Sequence, residues 1–166
     1  FNVETVYNIY RALHEAAPVT EKYITITGAV KNPVTLKAPL GCTYGELIAR
    51  AREIGVRRFV VHPSAEPHTP EERPDRVAAC KESLVRLAEI GRRNDAIIAV
   101  EDLPRTCLGN CSAELLDLVS VDDSLGICCD TNHLLGEDLI EFITKVVLKR
   151  FSKIRQKSRR SGDFCK

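Results

Sequence analysis

The sequence has no tryptophan, and aromatic residues make up only 5% of its 166 positions. Stacking platforms for single-stranded nucleic acid depend on aromatic faces, so the composition argues against that function. No apolar run approaches the roughly 18 residues of a membrane-spanning helix, and no secretory leader pattern is present. No membrane span is therefore predicted. The Walker loop, the G-x-G-x-x-G dinucleotide fingerprint and the G-x-S-x-G nucleophile elbow are also missing. Kinase, dinucleotide-binding and serine-hydrolase readings lose their support with them.

Cysteine is plentiful but poorly arranged for cross-links: the seven are odd in number and irregular in spacing. Cys107 and Cys111 form a C-x3-C pair with no second pair at zinc-ribbon spacing, so a structural zinc site has little support. Cys128 and Cys129 lie in an apolar run and read as buried strand thiols. Reduced thiols and a cytoplasmic protein are expected. The first residue is Phe1 rather than Met, from which a processed or trimmed chain is expected.

An apolar fraction of 44% over 166 residues is enough for a core, in one domain or at most two small ones. The net charge of +1 conceals an asymmetry: residues 145–166 carry nine basic side chains against one acidic, net +8, which leaves −7 for the rest. The tail "KRFSKIRQKSRRSGDFCK" has no sustained apolar stripe and reads as a frayed helix end followed by a disordered, solvated arm. Contact of that arm with nucleic acid or anionic lipid is the alternative, and nothing aromatic or Gly-rich in it sharpens that option.

Residues 3–16 place Val3, Val6, Tyr7, Tyr10 and Leu13 at helical steps, and Pro18 ends the run. "EKYITITGAVKNPVTLKAP" changes to period two around a turn at Lys31-Asn32-Pro33, which predicts a hairpin. Thr43 and Glu46 form a T-x-x-E capping box opening a helix to about Ile54, closed by Gly55. From there the rhythm is strand, helix, strand. "VRRFVV" (56–61) is a β-rich run. Thr69-Pro70-Glu71-Glu72 is a second capping box, whose helix carries Val77, Cys80, Leu84 and Leu87, is disturbed by Pro74 in its second turn, and stops at Gly91. "AIIAV" (96–100) reads as a strand covered on both faces. Ser112 opens a helix with Leu115, Leu116 and Val119, "LGICC" (125–129) is a third strand, and a last helix starts near Glu137-Asp138 with Ile140, Ile143, Val147 and Leu148. Three consecutive strand–helix units imply a parallel sheet.

Each predicted parallel strand ends in polar residues: His62 after the first, Glu101-Asp102 after the second, and Asp130-Thr131-Asn132-His133 after the third. The carboxyl ends of parallel strands form the functional face of α/β folds. Neighbouring strands lie about 4.8 Å apart, so side chains there can converge on one ion. His62, Glu101, Asp130 and His133 form a mixed nitrogen/oxygen set suited to Zn, Mn or another divalent cation. The plain alternatives stay open: a strand-end backbone contact for His62, and a polar turn before the final helix for Asp130 and His133. His14 is read as structural and His68 as a loop residue. Cys129 stands near His133 in sequence but should point away from Asp130, which argues against thiol catalysis.

The segments "RRFVVHPS", "IIAVEDLPRTCLGN" and "GICCDTNHLL" resemble the sugar-phosphate isomerase/epimerase family of xylose-isomerase-like TIM barrels and its apurinic-endonuclease relatives, over residues 52 to about 147. The resemblance implies a divalent metal (Mn, Mg or Zn) held by Glu101, Asp130 and His133. It implies substrate contacts from His62 and His133; for an isomerase, Glu101 is also the candidate base that shuttles a proton between carbons. "NVETVYNIYRAL" with "PVTEKYITITGAVKNPVTLKAPLG" resembles an internal segment of the Rnf electron-transport complex C subunit, without that family's iron–sulfur, flavin or NADH motifs.

The expected architecture is therefore α/β: a helix and antiparallel β-hairpin (1–48), a partial TIM-barrel-like parallel sheet of three βα units (49–148), and a basic tail (149–166). A chimeric origin is expected, joined around Leu47 to Arg52. The expected function is that of a fragment of a metal-dependent sugar or sugar-phosphate isomerase/epimerase, with an incomplete site and little activity alone. The alternative is a non-catalytic interaction or electron-transport-complex-like module. No specific nucleic-acid partner is predicted; a homo-oligomer would cover the open sheet edges.

Overall fold

A computed structural model describes residues 3–26, 33–64, 69–134 and 136–148. The chain divides into two compact units, one comprising residues up to Arg57 together with Arg93–Ala96, the other Arg58–Arg92 together with the residues from Ile97 onward.

The first unit opens with helix α1 (Val3–His14), followed by strands β1 (Glu21–Ile26) and β2 (Val34–Pro39). The strands pair antiparallel, from Glu21 opposite Pro39 to Ile26 opposite Val34, as the period-two pattern predicts. The Thr25 and Thr35 hydroxyls meet across the ladder at 3.2 Å, and Lys37 pairs with Glu21. Most of the connecting turn lies outside the described residues. The α1 stripe forms on a helix as its spacing predicts, yet α1 buries none of its residues. Its tie to the hairpin is polar: the Tyr23 amide donates to Glu4 Oε1 at 2.9 Å. His14 is exposed and stacks on Tyr10 with ring centroids 4.8 Å apart.

Helix α2 (Tyr44–Glu53) starts at the expected capping box. Thr43 Oγ1 accepts from the Glu46 amide at 3.2 Å, and Glu46 Oε2 accepts from the Thr43 amide at 2.7 Å. Two otherwise orphaned donors are thereby satisfied. Gly55 follows the helix at a φ of +94°, a conformation that favours glycine.

The second unit is built on strands β3 (Arg58–Val61), β4 (Ile97–Glu101) and β5 (Gly126–Cys128). They form one parallel sheet in the order β3-β4-β5, with Val61 beside Val100 and Glu101 beside Cys128. This is the expected α/β arrangement of three βα units. Between the strands lie α3 (Arg73–Arg93) and α4 (Ser112–Leu118), the latter running into a 3-10 turn at Val119–Val121; a further helix covers residues 139–148. The core holds Leu84, Ile98, Val100, Leu115, Leu118 and Phe142, each almost fully buried. Burying such a side chain stabilises by about 1.5–3 kcal/mol. None of the described helices is long and apolar enough to cross a membrane.

Four local expectations are corrected. The Thr69 box forms, with the Glu72 amide 3.4 Å from Thr69 Oγ1 and the Thr69 amide 2.9 Å from Glu72 Oε2, but residues 70–72 make a turn and the α-helix begins at Arg73. Pro74 thus falls in the first turn, where its missing N–H costs nothing. Gly91 does not stop α3; it is buried inside the helix, which runs on to Arg93. Strand β4 is not covered on both faces: Ile98 and Val100 are buried while Ile97 is 47% exposed, so its apolar run conceals a two-sided strand. In the last helix the expected stripe of Ile140, Ile143, Val147 and Leu148 is exposed, and Phe142 is the buried anchor. Asp138 caps that helix, its Oδ1 accepting from the amides of Ile140 at 2.9 Å and Glu141 at 3.0 Å. Residues 149–166 and His68 lie outside the described residues.

Candidate metal centre at the strand ends

Strand alternation decides which side chains meet. Ile98, Val100 and Asp102 point to the buried side of the sheet, so Ile97, Ala99 and Glu101 point to the other. The register puts Val60 beside Ala99, and Val60 is 52% exposed on that same open face. Continuing one pleat brings His62 alongside Glu101. On the third strand Gly126 abuts Ala99 so closely that an added Cβ would lie 3.1 Å from the Ala99 Cβ. The open face is therefore small in its middle and polar at its carboxyl end.

Glu101, Asp130 and His133 each offer one ligand atom, and these atoms lie within 4.8 Å of one another. His133 Nδ1 is 3.5 Å from Glu101 Oε1, and His133 Nε2 is 3.5 Å from Asp130 Oδ2. His62 Nε2 stands 3.6 Å from Glu101 Oε2, with its side chain 62% exposed. Glu101 is only 15% exposed. Neither Glu101 nor Asp130 has a Lys or Arg ion pair among the described residues; the ion-pair partners found there are His62 and His133. Two carboxylates converging without a fixed cation suit a bound divalent ion, since each would otherwise hold uncompensated charge in a partly desolvated place.

The turn that carries Asp130 and His133 is both a turn and a donor group. The Asn132 amide donates to Asp130 Oδ1 at 2.9 Å, and the His133 amide to the Asp130 carbonyl at 3.0 Å. Asp130 Oδ2 is the oxygen that faces His133. His133 Nδ1 is 2.7 Å from the Asp102 carbonyl oxygen. A carbonyl only accepts, so this bond places the proton on Nδ1 and leaves the Nε2 lone pair available. Metal-binding histidines are commonly oriented in this way.

The sequence pattern did not single out Asp102, which is 1% exposed. Its Oδ1 accepts from the Asp130 amide at 2.6 Å, while its Oδ2 is buried without a hydrogen-bond partner among the described residues. Burial pushes its carboxyl above the ordinary range, against the bonds from backbone amides. Two further residues that no sequence pattern singled out brace the loop after β4 and the start of α4. Arg73 Nε and Nη2 grip Glu114 at 2.9 and 2.6 Å, and Arg73 Nη1 donates to the Thr106 carbonyl at 2.9 Å, fixing the loop after β4. Glu137 binds Ser112 at the start of α4. A charge pairing across tens of residues leaves no local sequence pattern; Asp102 left only the second acid of an acidic pair.

The six described cysteines are free. Cys128 is half-buried and Cys129 exposed, which corrects their reading as buried thiols: β5 is a three-residue edge strand of this sheet. Partial burial and then the neighbouring Asp102 raise the Cys129 thiol pKa, so a thiolate nucleophile is disfavoured there.

A family model of the xylose isomerase-like TIM barrel matches residues 44–159. Among solved structures the chain is similar to a D-tagatose 3-epimerase-like protein, at 25% identity and a TM-score of 0.55, over 61% of this chain and 40% of that one. Among curated proteins it is similar to cobalamin reductase PduS of Citrobacter freundii, 46% identical over 50 residues. The PduS of Salmonella typhimurium is 44% identical over the same length, and in both cases the match spans 30% of this chain and 11% of the relative.

Proposed function

Because the chain belongs to the xylose isomerase-like TIM barrel family, we propose that it carries the metal centre of a sugar isomerase or epimerase at its strand ends. The observation that carries this reading is the convergence of Glu101, Asp130 and His133 within 4.8 Å. Likeness to a D-tagatose 3-epimerase-like protein supports a small sugar or sugar phosphate as substrate. Glu101, Asp130 and His133 would hold a divalent ion such as Mn, Mg or Zn; when bound, it polarises neighbouring substrate oxygens.

In this reading Glu101 takes the proton from the hydroxyl-bearing carbon beside the substrate carbonyl and delivers it to the carbonyl carbon, while the proton of that hydroxyl passes to the carbonyl oxygen, so that aldose and ketose interconvert. His62, exposed at the rim and 3.6 Å from Glu101, orients substrate hydroxyls. His133 contributes its Nε2 lone pair, and its Nδ1–H bond keeps the ring from turning. A closed barrel of this kind has eight strands. The three strands of the parallel sheet, β3 to β5, would supply part of its site, so the chain by itself turns over little.

Aldose–ketose conversion with added Mn or Mg is the test. Activity that vanishes in Glu101→Gln supports the assignment; turnover left intact in that variant refutes it. The similarity to cobalamin reductase PduS favours a second reading, a non-catalytic module of a redox assembly derived in part from an electron-transport subunit. Flavin or iron–sulfur absorbance in the purified protein would favour that alternative. Tight metal uptake in calorimetry without turnover would favour a metal-binding module that does not catalyse.

A further inference from the structure

Asp102 touches the candidate site through three separate groups. Its amide donates to the Cys128 carbonyl at 3.2 Å, continuing the β4–β5 ladder one residue past the strand. Its carboxylate Oδ1 accepts from the Asp130 amide at 2.6 Å. Its carbonyl accepts from His133 Nδ1 at 2.7 Å. One residue thereby binds the strand end, the first residue of the polar turn and the imidazole at its far end. Asp102 is 1% exposed and its Oδ2 has no hydrogen-bond partner among the described residues, so a costly buried carboxyl is kept where its Oδ1 holds the Asp130 amide.

We propose that Asp102 is the positioning residue of this site: its side chain sets the Asp130–His133 turn, and the turn so held presses His133 against the Asp102 carbonyl as the Nδ1–H tautomer. The proposal rests on the reading of Glu101, Asp130 and His133 as a metal centre, but its geometry exists before any ion arrives. A neutral histidine side chain in water favours the Nε2–H form, so an enforced Nδ1–H form is a distinctive mark of the carbonyl contact. It presents the Nε2 lone pair on the side of Asp130 Oδ2, 3.5 Å away.

The test is nitrogen-15 NMR of the metal-free full chain with labelled histidine, above the imidazole titration, with His133 assigned by its loss in His133→Asn. Wild type is expected to show Nδ1–H at His133. Asp102→Ala, checked for folding by its amide spectrum, is expected to lose that preference and to bind Mn(II) about 10–100-fold more weakly. Asp102→Asn keeps the acceptor oxygen and is expected to retain the tautomer and an affinity within about threefold of wild type, since about 10-fold is the smallest loss expected of a broken orienting contact. An Nε2–H tautomer in wild type overturns the proposal and needs no variant to read. A folded Asp102→Ala that keeps the Nδ1–H form, or an Asp102→Asn that loses it, also overturns it. Wild type with the Nδ1–H form but no uptake of Mn(II) or Zn(II) refutes the metal-centre reading instead and leaves the positioning role supported.

Discussion

Glu137 caps helix α4 from 25 residues away: its Oε2 accepts from the Ser112 amide at 2.8 Å and its Oε1 from the Ser112 hydroxyl at 2.7 Å. The local N-cap, Cys111, makes no side-chain bond of its own. The carboxylate also meets favourable charge there, because a helix N-terminus is partially positive. Lys145 completes the arrangement at 2.7 Å from Glu137 Oε1. Burial would raise the Glu137 carboxyl, but the bonds from Lys145 and Ser112 win and hold it at about 2. A segment just beyond the candidate site is thus tied to the helix that follows β4.

Acid should loosen this tie. The folded-state pKa is depressed, so the stabilisation is complete above the ordinary value of 4.5 and is lost as pH falls through about 2. Asp122, held at about 2 by Ser124 and Arg92, adds to the same limb. Glu137→Gln is expected to cost about 2 kcal/mol at neutral pH and to flatten the fall in Tm on acidification. Thermal melts of both proteins between pH 7 and pH 3 read the difference, and parallel curves would count against it.

Metal affinity should divide the site residues. Glu101→Gln and Asp130→Asn are each expected to weaken Mn(II) or Zn(II) binding at least about tenfold, since a lost or misplaced ligand typically has that effect or more. His62→Ala is expected to leave metal affinity nearly unchanged, because His62 is the exposed rim residue. Calorimetric titration of the three variants against wild type is the measurement. An equal loss in His62→Ala would move that histidine into the ligand set.

Arg73→Ala should destabilise the loop after β4. It removes both bonds to Glu114 and the one to the Thr106 carbonyl. Glu114 would be left partly buried with only the Gly109 amide, at 2.7 Å, still donating to it among the described residues. The expected cost is on the order of 2–3 kcal/mol, read as a lower urea midpoint with an unchanged m-value.

Gly126→Val tests how closely β5 approaches β4. Its Cβ would stand 3.1 Å from the Ala99 Cβ and 3.3 Å from the Ala99 Cα, where backbone cannot give way easily. A loss of about 1–3 kcal/mol is expected, together with weaker metal binding, because β4 carries Glu101 and β5 leads directly into the turn that holds Asp130. Denaturation and calorimetry on one preparation check both.

Much of this was legible in the chain, because local chemistry wrote it. The Thr43–Glu46 capping box, the hairpin alternation and the polar ends of the three strands all act within a few residues. Burial is the property that hydropathy does not fix. "AIIAV" and "ICC" are as apolar as any covered strand, yet Ile97 and Cys129 are exposed; hydropathy states what a residue would prefer, while the neighbouring layer decides what it receives. The stripe on the final helix shows the same limit, with Phe142 buried and Ile140 exposed on one segment.

By itself the sequence determined the order of elements, their caps and the residue types available at the strand ends, since backbone hydrogen bonding and side-chain alternation follow from local spacing. Only the tertiary structure decided which of those polar residues meet. Parallel pairing in register brings Glu101 beside the turn that holds Asp130 and His133, and turns Asp102 beneath it. Those contacts span about thirty residues, and no local pattern encodes a distance of that kind.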